Sequence, residues 1–257
     1  MSWAGRRKTI YTGGVLGVFL IIAAAAYFLI FYQAPSCSDL VQNGTETGID
    51  CGGSCEKVCA AEAIPPAVIW SRSFEIAPGI WTAVAYVENK NVDAGTRTLP
   101  YRFKLFEEGG VLIAERNGST FLVPHEAAII VEPNIAVGKR MPIRTQFEFE
   151  TVPLWEGVSE KTIPKFNVRS AVLEHADTLP RVTVMVSNSS NSTVKEVEAS
   201  VLLFDAEENV IAASKTIIQS LLRGETEQVV FTWPKPFLEE ASRVDVRVRA
   251  PFGIDEL

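Results

Sequence analysis

Two stretches of this chain read alike about one hundred residues apart. WTAVAYVENKN at Trp81–Asn91 lies over RVTVMVSNSSN at Arg181–Asn191. The match continues with FKLFEEGGVLIAE at Phe103–Glu115 over VLLFDAEENVIAAS at Val201–Ser214, and with FLVPHEAAIIVE at Phe121–Glu132 over LLRGETEQVVFT at Leu221–Thr232. A repeat of this length is a domain copied in tandem, so whatever the first copy folds into, the second must fold into as well. The text of each copy is short and alternating. Trp81–Glu88, Pro142–Glu150, Arg181–Val186 and Arg243–Arg249 place apolar residues at every second position, with turn residues between the runs, and no helical stripe of comparable length competes. That pattern predicts strands of a β-sandwich. The copies fall at 63–150 and 165–257, joined by a linker over 151–164 where Pro153, Gly157 and Pro164 break any continuing strand.

The beginning of the chain obeys a different rule. From Thr9 to Ser38 there is no Asp, Glu, Lys or Arg, and Gly13–Tyr32 is a continuous apolar run. Such a run is long enough to cross a bilayer, whereas a core helix carries a polar face. Arg6, Arg7 and Lys8 directly precede it. The positive-inside bias then leaves residues 1–11 in the cytoplasm, places the span at 12–33 in the cell membrane, and exports the rest. The run exceeds the apolar core of a cleaved signal peptide, and Ala34 is followed by Pro35, a poor cleavage junction, so an uncleaved signal anchor is expected.

Charge and composition exclude several function classes. The chain has 24 Lys+Arg against 31 Asp+Glu, for a net charge of −7, which supplies no basic stripe for nucleic acid. With only two histidines, His125 and His175, most metal and histidine-based catalytic constellations lose their usual residue. Glu107 and Glu108, and Glu207 and Glu208, are paired carboxylates, but each pair sits in one hairpin turn instead of across a cleft.

All four cysteines, Cys37, Cys51, Cys55 and Cys59, lie in CSDLVQNGTETGIDCGGSCEKVC, within a juxtamembrane module at 34–62. An even, clustered, exported set favours two disulfides, in any of three connectivities. The rival is a four-thiolate zinc site, which would lack the paired C-x₂-C knuckles of zinc ribbons. Gly52 and Gly53 supply positive-φ turns between the close cysteines. Asp39, Asn43, Glu46 and Asp50 gather four oxygen donors in this loop and are candidate calcium ligands, although acidic and Asn-Gly residues also make ordinary turns.

Two resemblances follow from these residues. The cysteine stretch resembles a short motif of bacterial and archaeal surface proteins, matched here by Asp39, Asn43, Gly44, Glu46, Thr47, Asp50, Cys51, Gly52, Gly53 and Cys55, with Leu40 where glycine is usual. The repeated domain resembles the FxLYD domain, a small β-sandwich of secreted and membrane-anchored prokaryotic proteins. Phe103-Lys104-Leu105-Phe106-Glu107 and Val201-Leu202-Leu203-Phe204-Asp205 are two versions of its naming motif. The Val-x-Asn turns Val87–Asn89 and Val186–Asn188 and the turns Leu122–Glu126 and Leu222–Glu225 accompany them. The resemblance implies tandem immunoglobulin-like sandwiches and no defined catalytic activity.

Trp70, Trp81, Trp155 and Trp233 are spread along the β-region. Trp155, in the linker, is the candidate exposed binding anchor, with packing between the domains as its other role. Sequons occur at Asn43, Asn117, Asn188 and Asn191, in expected turns. The prediction is an all-β exterior of two sandwiches after one membrane helix and a disulfide-stapled module, in a non-enzymatic, single-pass protein without a resident cofactor. Its partners are membrane lipid through 12–33 and an envelope protein, not nucleic acid. The alternatives are a calcium- or zinc-binding sensor or accessory subunit of an envelope enzyme, and a carbohydrate-binding surface protein.

Overall fold

The computed structural model describes residues 3–31 and 35–253. Helix α1 covers Trp3–Phe31. Its stretch Gly5–Leu29, 25 residues long, is apolar enough to cross a membrane and is covered by no other part of the described chain. At about 1.5 Å per residue it exceeds the ~30 Å hydrocarbon core of a bilayer. Val15, Phe19, Ile21 and Tyr27 are all exposed, so the helix is apolar all round, which suits lipid. Residues 32–34, which hold the end of the span expected from sequence and Ala34 of the poor cleavage junction, lie outside the described residues.

Beyond the helix the described chain is built of β-strands. The first copy contains β1 (Ala67–Ala77), β2 (Ile80–Glu88), β3 (Ala94–Phe106), β4 (Leu112–Leu122), β5 (Ala127–Ala136) and β6 (Arg144–Phe149), followed by the two-residue β7 (Glu156–Gly157). The second contains β8 (Phe166–Glu174), β9 (Arg181–Asn188), β10 (Val194–Phe204), β11 (Val210–Leu221), β12 (Thr226–Thr232) and β13 (Arg243–Arg249). Sheet orders repeat with the sequence. The first copy pairs β1-β2-β5 and β4-β3-β6, and the second pairs β8-β9-β12 and β11-β10-β13. Every pairing is antiparallel.

Within each copy the inward residues of both sheets form one core. Ala83, Ala85, Val87 and Ile130 meet Leu99, Phe103, Leu105 and Phe147 in the first. Val182, Val184, Val186 and Phe231 meet Val197, Val201, Leu203 and Ile218 in the second. The naming-motif residues Phe103 and Leu105 are therefore core, and Phe106 lies on the other face under the Arg144 guanidinium, 4.2 Å from its ring centre. Phe204 has the same cover from Arg243, at 3.6 Å.

A buried asparagine locks one end of each sandwich. Asn89 Nδ2 donates to the carbonyls of Ala94 and Val123, both at 2.8 Å, and its Oδ1 accepts from the Asn91 amide. Asn188 Nδ2 donates to the Ser192 and Leu221 carbonyls at 2.8 and 2.9 Å, while Oδ1 accepts from the Ser190 amide. Each joins the turn after its own strand to the next turn across. The latter turn needs a positive φ, supplied by His125 in one copy and Gly224 in the other.

The two sandwiches are not beads on a string. The outer face of β1-β2-β5, with Val84, Ile129 and Val131, packs on the outer face of β11-β10-β13, with Leu202, Val210 and Ala213, and Trp70, Phe74, Tyr86 and Phe204 pack against this seam. Four sheets stack as layers, and each buried aliphatic side chain at the seam contributes about 1.5–3 kcal/mol. The segment 151–164, a linker by sequence, is likewise fastened. β7 pairs with Ala94 and Gly95 of β3, and the carbonyl of Trp155 accepts from the Val58 amide at 2.9 Å.

Candidate binding site at the seam

Where the stacked sheets part, they leave a cleft of about 350 Å³ between the copies. Phe74 and Ile76 of β1, Trp81 of β2, Ile211 of β11, and Trp233 and Phe237 of the β12–β13 connection line its largely apolar wall. Met141 and Leu238 stand at its rim, 69% and 100% exposed. Lys235 of the second copy bonds Glu75 of the first at 3.1 Å, and this bond, with the Gly79 amide, holds the Glu75 carboxyl below its ordinary range. The indole N–H groups of both Trp81 and Trp233 are shielded from solvent with no acceptor among the described residues. An unmade bond of this kind costs about 1–3 kcal/mol. Trp233 is 5% exposed and meets Phe237 in a T-shaped contact, ring centroids 5.2 Å apart.

A second part of the seam is ionic. Arg249 of β13 reaches into the first copy, where Nη1 donates to the Phe121 carbonyl at 2.9 Å and to Glu126 at 3.4 Å. Nη2 bonds Thr120 Oγ1 at 2.7 Å and Glu198 of its own copy at 3.2 Å. The side chains of Arg249 and Glu126 are both 8% exposed. Burial pushes the Glu126 carboxyl above its ordinary range, with Arg249 and the Val123 amide pulling the other way. Tyr101 donates to Glu132 at 2.6 Å, and burial followed by that bond raises its hydroxyl as well. This cluster fastens one copy to the other, and its chemistry is that of a latch.

The cysteine module is stapled by Cys37–Cys55 and Cys51–Cys59. All four thiols are consumed, which closes the four-thiolate zinc reading. Gly52 and Gly53 have φ of 76° and 60°, and a Cβ on Gly52 would sit 1.8 Å from Thr47 Oγ1. The four calcium candidates do come together, but as a hydrogen-bonded scaffold. Asp50 accepts from the amides of Asp39 and Leu40, Asp39 accepts from the Val41 amide and Asn43 Nδ2, and Glu46 accepts from the Asn43 amide. The carboxylate oxygens hold the loop itself, whereas Asn43 Oδ1 is buried with no partner among the described residues. Leu40 is fixed at a φ of 63°, a conformation that costs a bulky residue about 1–2 kcal/mol.

Trp155 is a correction. It is 3% exposed and packed with Ala63, Ala94 and Val58, so it docks the cysteine module and the 151–164 segment onto the first sandwich and offers no exposed anchor. Of the sequons, Asn188 is the buried staple and Asn117 lies within β4, opposite Arg102, instead of in a turn; Asn117 and Asn191 are exposed. His125 and His175 are exposed, in a turn and just beyond the end of β8.

The cleft and the latch were not singled out by sequence, yet each left a trace. Within its alternation β2 fills the outward position 84 with Val, and β10 fills 202 with Leu, where the repeat partners carry Thr183 and Lys104, so that AVAYV and VLLF become continuous apolar runs. A strand buried on both faces is written this way. No protein-family model matches the chain, and a search of curated proteins finds no match. The FxLYD resemblance therefore rests on the quoted residues alone.

Proposed function

We propose that this chain is a non-enzymatic protein of the cell membrane, with its N-terminus cytoplasmic, whose exported double sandwich binds a segment of another envelope protein in the cleft at the seam. The observation that carries this reading is the cleft itself, with its apolar wall, its exposed rim residues Met141 and Leu238, and two indole donors that lack an acceptor. Main-chain carbonyls of an extended segment are acceptors of the right kind, and displacement of the 234–239 connection, which carries Leu238, would uncover the donors. Sugar recognition would need an open aromatic face, which neither Trp233, 5% exposed, nor Trp155, 3% exposed, offers. The sandwich pair and single apolar helix suit a membrane-tethered platform, and the core placement of the Phe103 and Val201 segments is consistent with an FxLYD-like domain.

The test is a photo-crosslinking residue at Met141 in native membranes, read by mass spectrometry. The reading expects an adduct with a discrete protein that disappears when Ile211→Asp fills the cleft wall with charge. An adduct pattern indifferent to Ile211→Asp would refute it.

A further inference from the structure

The cysteine module presents apolar side chains that the protein leaves uncovered. Leu40, Val41 and Ile49 are 79%, 55% and 60% exposed. They are gathered at one end of the module, because Asp50, next to Ile49, accepts the Leu40 amide at 3.0 Å and the Asp39 side chain accepts the Val41 amide at 2.9 Å. Leu40 is held there at a φ of 63°, a value that favours glycine, and its side chain gains no packing in return. A strained, rigidly held and exposed leucine implies a cover outside the folded chain.

Chain length says what that cover is. Six Cα–Cα steps separate Phe31, the last of α1, from Cys37. At full extension they reach no more than about 22 Å. Cys37 is bonded to Cys55, so the module is attached to the helix end at a point within that radius. The bilayer surface is the one large apolar-lined body that such a tether guarantees. Asp39, Glu46 and Asp50 are occupied with amide donors inside the loop, so the contact is apolar in character and not an attraction between charges.

We propose that the module rests on the outer surface of the bilayer, with Leu40, Val41 and Ile49 entering the interfacial zone and fixing how the sandwiches stand above the membrane. This rests on reading α1 as a membrane span.

The full chain in liposomes tests it, with a spin label carried by an unnatural ketone residue so that the disulfides stay intact. Labels at Ile49, at Val18 in the helix and at Leu238 on the cleft rim are compared for collision with oxygen, which enters lipid, and with a nickel chelate, which stays in water. The proposal expects the oxygen-to-nickel ratio at Ile49 to resemble that at Val18 and to exceed that at Leu238 several-fold. The double change Leu40→Ser and Val41→Ser should lower the Ile49 ratio several-fold, with little change at high salt. If Ile49 behaves like Leu238 while Val18 reports lipid, the proposal fails and the anchor stands. If Val18 is also in water, both fail. Shielding of Ile49 from both reagents in native membranes, but not in liposomes, would point to a protein cover and overturn the lipid assignment.

Discussion

The two sandwiches share one backbone plan and differ in which of their outer faces is apolar. Val84, Ile129 and Val131 on the outside of the first copy correspond to Thr183, Gln228 and Val230 in the second. The first set is buried at the seam, whereas Gln228 and Val230 are exposed. The other pair of sheets is inverted. Leu202 and Ala213 of the second copy lie at the seam, and the equivalent Lys104 and Glu115 of the first copy stand in an outward ladder that includes the pairs Arg102–Glu115 and Lys104–Glu148. The two units share a plan, and the differences at outward positions decide that they stack in one order only. Inward positions are apolar in both copies but differ in size, with Ala83, Ala85 and Phe103 of the first where the second has Val182, Val184 and Val201.

Exchanging a single outward residue is the strongest way to break this asymmetry. Leu202→Lys gives the second copy the residue that the first carries at the same place. Its cost should exceed the roughly 2–5 kcal/mol of truncating a buried leucine, since an ammonium at the seam has no partner. Urea unfolding should resolve two steps in this variant, while Lys104→Leu leaves a single step. Next in size is Arg249→Ala, which strands Glu126 and Glu198 and should lower stability by about 3–5 kcal/mol in the same assay. Asn89→Ala and Asn188→Ala sharpen the comparison from the side of likeness. Each removes the same buried staple and should cost about 1–3 kcal/mol for each group left unpaired, by similar amounts in the two copies; a large inequality would show that the copies do not use it alike.

The smallest effect is a pH dependence confined to one copy's latch. Burial raises the folded-state pKa of Glu126 above its unfolded value, so the folded protein binds the proton more tightly. Stability contributed by this group is present below the ordinary glutamate range and declines as pH rises from about 4.5 toward the raised folded value. Glu126→Gln should flatten that decline in the difference between variant and parent, measured by chemical denaturation across pH. A difference curve that rises with pH in the parent's favour would contradict the assignment.

Much of this was legible in the amino-acid order because it depends on local pattern. Alternation located the strands of both copies, the repeat set their correspondence, and the even cysteine cluster with its flanking glycines marked a stapled loop. Val-x-Asn marked the turn, although the buried role of the asparagine depends on carbonyls more than thirty residues away, at Val123 and Leu221. The fate of Trp155 depended on Val58, Ala63 and Ala94, contacts that no window of sequence brings together. The seam was written as continuous apolar runs in β2 and β10, and such runs also suit any deeply buried strand, so their partner emerges only once the sheets are placed. The oxygen donors at Asp39, Asn43, Glu46 and Asp50 do gather in one loop, and amides beside them occupy the three carboxylates.

The central claim is that the two copies form one fused unit, and calorimetric unfolding of the full chain in detergent tests it most directly. One exterior transition with equal calorimetric and van't Hoff enthalpies is expected. Two transitions, each carrying the enthalpy of a single sandwich and each unmoved by Leu202→Lys, would contradict it.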